Sequence, residues 1–103
     1  MLGIENNLFP VKIGINQIYP NPFNPIANIQ FEVSEISQVE LSIYNLNGRL
    51  VSTLVNAIVN PGKYTSLWNG VDSFGNPVSS GIYFVVLESN KKPIQTQKLV
   101  LLK

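Results

Sequence analysis

The chain has 103 residues, 45% of them apolar and only 13% charged, with a formal net charge of +1. That length and apolar fraction exclude a disordered chain and a long solvated helix, and they allow one domain with a core of its own. Cysteine and histidine are both absent, which excludes disulfides, thiolate metal sites and the commonest general base.

The basic residues are Lys12, Arg49, Lys63, Lys91, Lys92, Lys98 and Lys103. They are scattered, and no stripe points to nucleic acid or to an anionic membrane surface. Residues 1–15 lack the charged start, apolar run and small-residue cleavage site of a signal peptide. No apolar stretch has the length of a membrane span, so membrane insertion is not expected. If the protein is exported, the chain is expected to be part of a longer precursor.

Residues 11–18 are a candidate edge strand. Tyr19-Pro20-Asn21-Pro22-Phe23-Asn24-Pro25 cannot be a central strand, because three prolines lack the donors that a ladder needs. An extended or turn segment is predicted there, pinned by Tyr19 and Phe23. Residues 28–34 alternate, with Ile29, Phe31 and Val33 on the inner face. Residues 39–43 repeat this with Val39, Leu41 and Ile43, the period-two signature of a sheet with one buried face.

Asn45-Leu46-Asn47-Gly48 predicts a turn, with residues 49–55 returning as the hairpin partner. Residues 52–58 are the one stretch whose spacing supports a short turn of helix. Asn60-Pro61-Gly62 is a second turn signal, followed by a strand with Tyr64, Ser66 and Trp68 on one side. Residues 69–81 read as a loop rich in turn formers. Residues 82–87 run apolar without a break, which predicts a central strand buried on both faces. Residues 90–93 read as a turn, and residues 95–102 as the last strand. The fold class is therefore all-β. About seven short strands in about 100 residues predict an immunoglobulin-like antiparallel β-sandwich, with Trp68 filling the core without a disulfide beside it.

No catalytic or cofactor-binding constellation emerges. The acids are Glu5, Glu32, Glu35, Glu40, Asp72 and Glu88, and they pair with no candidate base. Ser79 and Ser80 have no histidine to activate them, and nothing places a lysine near them. Asp72 is the one weak metal candidate. One Asp and two Asn supply little charge for calcium, so an Asx-type turn before Gly75 is the favoured role. Tyr44, Tyr64, Trp68, Tyr83 and Phe84 would make a sugar-stacking platform only if three of them formed an exposed row.

The order of motifs carries more information than any one of them. Residues 19–25 are followed by Ile29-Gln30-Phe31, by residues 39–45 and by Gly48-Arg49-Leu50-Val51. Then come Gly62-Lys63-Tyr64, Trp68-Asn69-Gly70, residues 75–84 and residues 98–103. This series resembles the C-terminal sorting domain of cargo proteins of the bacterial type IX secretion system. It is also similar to the related immunoglobulin-like domain of the flagellar hook-capping protein, which shares the stretch from Trp68 to Tyr83. The opening at Tyr19 and the ending at Lys98–Lys103 favour the sorting domain.

The resemblance implies a division into residues 1–18, a linker with the candidate edge strand, and residues 19–103, the sorting domain. It implies a non-catalytic address, without cofactor, that carries a cargo through the periplasm and across the outer membrane to the cell surface or medium. The implied partners are the outer-membrane translocon and shuttle proteins, with a sortase-like peptidase that cuts in the linker before Tyr19. Lys98, Leu99, Val100, Leu101, Leu102 and Lys103 are the expected partner-binding residues. Tyr19, Pro20, Asn21, Pro22, Phe23, Pro25, Gly48, Gly62, Trp68, Gly81 and Tyr83 are the expected structural motif. Two other readings remain at this point: a structural or adhesive immunoglobulin-like module, and a carbohydrate-binding accessory module.

Overall fold

The computed structural model describes residues 11–103, so the first ten residues of the expected linker lie outside the described residues. Seven strands follow in chain order: β1 Gly14–Tyr19, β2 Ala27–Val33, β3 Ser37–Asn45, β4 Leu50–Val59, β5 Gly62–Trp68, β6 Gly81–Ser89 and β7 Lys92–Leu101. They form a three-stranded sheet, β1-β2-β5, and a four-stranded sheet, β4-β3-β6-β7. All strand pairs are antiparallel. The expected all-β sandwich of about seven strands is borne out.

The alternation read in β2 and β3 fixes the core. Ile29, Phe31 and Val33 from one sheet meet Val39, Leu41 and Ile43 from the other, all buried. Trp68, Tyr83, Val85, Leu87, Leu99 and Leu101 complete the cluster, with Phe23 and Ile15. Trp68 sits between Phe23 and Tyr83, with ring centroids 5.4 and 5.1 Å away. Its indole N–H donates to the Val71 carbonyl at 2.8 Å. Both demands of a buried tryptophan, apolar contact and a polar partner, are met without a disulfide.

Three sequence expectations are corrected. Residues 52–58 are strand, not helix. Two bulges interrupt the β3–β4 register, between Leu41 and Ser42 and between Ile43 and Tyr44. The extra residues bring Val51, Leu54, Val55 and Val59 all against the core. That spacing imitates a helical period although the backbone is extended.

The apolar run at residues 82–87 does lie centrally, between β3 and β7. Only Tyr83, Val85 and Leu87 are buried, whereas Ile82, Phe84 and Val86 face outward and are partly exposed. The turn near residue 90 is tighter than predicted. Asn90 and Lys91 both have positive φ, at 51° and 68°, as a two-residue hairpin loop requires. Pro93 then lies inside β7, beside a bulge on an edge strand, where its missing donor costs no central ladder bond.

Candidate functional site: the sealed terminal strand

β7 is an edge of the four-stranded sheet. An edge strand exposes unpaired N–H and C=O groups, and natural proteins cover such rows. The cover here is the proline-rich segment before β2. Phe23 N–H donates to the Val100 carbonyl at 2.9 Å, and Leu102 N–H donates to the Phe23 carbonyl at 3.0 Å. The residue before Phe23 is Pro22, which has no N–H to offer.

Asn21 replaces the missing backbone groups with its side chain. Its amide NH2 donates to the Lys98 carbonyl at 3.2 Å, and its Oδ1 accepts from Val100 N–H at 3.0 Å. Farther along, Gln95 closes the seam with β1, its Oε1 accepting from Ile15 N–H at 2.9 Å. Lys103 N–H donates to Ser80 Oγ at 3.0 Å.

The two aromatic pins predicted for the segment behave differently. Phe23 is buried in the core, whereas Tyr19 is 39% exposed. Tyr19 holds on by polar contacts: its carbonyl accepts from the Asn28 side chain at 3.0 Å, and its hydroxyl accepts from the Gln30 amide at 3.3 Å. Pro20, Pro22 and Pro25 are all solvent-exposed. Tyr19 is also the last residue of β1, paired with Asn28.

The six expected partner-binding residues divide by face. Leu99 and Leu101 point into the core, with 0% and 2% exposure, and are unavailable to a partner. Lys98, Leu102 and Lys103 are exposed and Val100 is half-buried. Among the structural residues, Gly48 ends the β3–β4 turn with φ 81°. Asn45 organises that turn, its Oδ1 accepting from the N–H groups of Asn47 and Arg49 at 2.9 and 3.0 Å. Gly62 lies against the Tyr64 ring, and Gly81 opens β6 opposite Leu101. Tyr83 donates its hydroxyl to the Ser79 carbonyl at 2.6 Å.

Asp72 is engaged as a turn former. Its Oδ1 accepts from the N–H groups of Phe74 and Asn76, both at 2.9 Å. Among the described residues, no three His, Cys, Asp or Glu side chains come together as a metal cluster. The aromatic row required for sugar stacking is not formed. Tyr64, Trp68 and Tyr83 pack inward, and the outer face of the four-stranded sheet carries Tyr44 and Phe84. Asn21 and Gln95 make hydrogen bonds whose partners sequence reasoning missed. The available signal was an asparagine between two prolines, placed where a backbone donor was lacking.

The architecture defines an immunoglobulin-like sandwich whose first segment is hydrogen-bonded to its last strand. A family model described as the secretion system C-terminal sorting domain matches residues 17–102, and the chain belongs to that family. The resemblance to sorting domains of type IX secretion cargo is thereby borne out, and the function is that of a sorting signal for a secreted or cell-surface protein.

Two solved structures from Porphyromonas gingivalis share the fold. Dimeric latent PorU aligns with a TM-score of 0.70 at 18% identity, over 85% of this chain and 9% of that one. PorZ, described as an essential surface component of the type IX secretion system, aligns with a TM-score of 0.58 at 22% identity, over 87% of this chain and 12% of that one. The chain thus spans about a tenth of each structure it matches. No curated protein matches it.

Proposed function

We propose that the domain is a non-catalytic address, read as a folded object by the outer-membrane translocon and shuttle proteins after its cargo has entered the periplasm. The observation that carries this reading is the seam between Asn21, Phe23 and β7. It makes the two diagnostic ends of the family motif, the proline-rich opening and the terminal strand, one rigid unit. A partner that recognises this unit recognises folding as well as sequence.

The same geometry favours a processing point farther upstream than Tyr19. Residues 14–19 are held in a ladder with β2, and a peptidase needs free extended backbone. A cut just before Tyr19 would fall inside β1, which supports a bond before Gly14 as the one to be cut. Val11, 93% exposed, and Lys12 mark the accessible approach.

The test is a reporter fused to residues 1–103 in a bacterium that owns the pathway. Reporter in the medium or on the surface is the expected result, and N-terminal sequencing of any released domain should begin at or before Gly14. Retention of a folded fusion in the periplasm would refute the reading.

A further inference from the structure

Antiparallel sheets that face water usually carry polar residues on the outer side. β6 departs from that pattern with Ile82, Phe84 and Val86 outward. The register sets apolar neighbours beside Ile82 and Phe84, whereas Val86 lies between Ser42 and Thr96. Tyr44 of β3 lies opposite Phe84, and Leu50 of β4 lies opposite Tyr44. Val100 of β7 lies opposite Ile82. Leu50 is 52% exposed and Ile82 39%, so the patch is open to solvent. Among the described residues, nothing covers this second face of a strand patterned for burial on both sides.

The charges on this face are ordered. Lys98 lies opposite Phe84, in a row whose other members are Tyr44 and Leu50, with no acid among them. Glu40 and Glu88 lie directly opposite each other, and like charges so placed repel. Phe84 and Glu88 are four positions apart on β6, which is about 13 Å along the strand. On the β7 edge, Asn21 and Phe23 occupy the carbonyls of Lys98 and Val100 and the N–H groups of Val100 and Leu102.

We propose that the outer face of the four-stranded sheet, centred on Phe84, is the surface by which this sorting signal docks on its receptor in the secretion machinery. The fitting receptor is a protein with an apolar patch, a carboxylate that meets Lys98 and a basic group about 13 Å away that meets the Glu40–Glu88 pair. The face measures about 30 by 19 Å, which suits a transient contact rather than a permanent one. This inference rests on the sorting function proposed above.

The test uses the same reporter fusion, with folding checked by thermal denaturation of each purified domain. Lys98→Glu and Phe84→Ser should each lower export by about tenfold or more, and Lys98→Arg should restore it. Leu67→Ser, at a 56% exposed position outside this sheet, should export normally. If Phe84→Ser fails to fold, the exposed Lys98→Glu decides alone. Folded face variants that export at the parental level overturn the proposal. So does a domain that sediments as a dimer only while Phe84 is intact, because a second copy would then be the occupant. An unaltered fusion that is folded but never exported strikes the sorting reading itself.

Discussion

Val100 N–H donates to Oδ1 of Asn21 across 79 residues of chain, at 3.0 Å. The NH2 of the same side chain donates to the Lys98 carbonyl two residues earlier in β7. One side chain thus supplies the donor and the acceptor that a neighbouring strand would supply. It does so between Pro20 and Pro22, neither of which has an N–H to give. Asn21→Ala should cost about 1–2 kcal/mol, two modest hydrogen bonds at an exposed edge. Asn21→Asp keeps the acceptor, loses the donor and should fall between. Urea denaturation of the three proteins checks the order, and equal midpoints would show that the seam contributes nothing.

Phe23 holds the same segment from beneath, against Trp68 at a centroid distance of 5.4 Å. Phe23→Ala should cost about 3–5 kcal/mol. That is a large part of the 5–15 kcal/mol typical of a domain. Tyr19→Ala, by contrast, should cost about 1 kcal/mol or less, because that ring is solvent-exposed. Melting temperatures of the two variants should therefore differ clearly.

Much of this fold was legible in the sequence. The clean alternation of Ile29, Phe31 and Val33, and of Val39, Leu41 and Ile43, directly encodes one buried face. What stayed hidden has local physical causes. The β4 bulges place Val51, Leu54 and Val55 at spacings that a helix would also produce, so periodicity alone misleads. The outer apolar positions of β6 look like burial because composition does not distinguish a core from an uncovered surface. At the site, the motif residues flagged the two ends of the chain. Their hydrogen bonds through Asn21 and Gln95 depend on a pairing between residues about 80 positions apart, which no local pattern records.

Gly14 shows how tight that closure is. A methyl group on it would lie 3.2 Å from Gln95 Oε1, the atom that accepts from Ile15 N–H. Gly14→Ala should cost about 1 kcal/mol by disturbing this bond. A double-mutant cycle with Gln95→Ala should be non-additive. Strict additivity would mean that the glycine is needed for another reason. Gly48→Ala should also cost about 1 kcal/mol, but through its φ of 81° alone, as nothing lies within 4 Å of the added methyl.

Asp72 anchors the loop that leans on β4, where Ser73 N–H donates to the Val51 carbonyl at 3.0 Å. Asp72→Ala removes the acceptor for two backbone amides and should cost about 1–2 kcal/mol. Calcium should leave the melting temperature of the parent domain unchanged. A rise that disappears in Asp72→Ala would assign the loop to metal binding instead.

The seam joins Asn21 and Phe23 to residues of β7 that lie nearly 80 positions later in the chain. Phe23 gains its second backbone partner only when Leu102 exists. A nascent polypeptide interrupted before Lys98 has nothing to set against Asn21, and its strap stays open. The finished shape therefore certifies that translation has run through to this point.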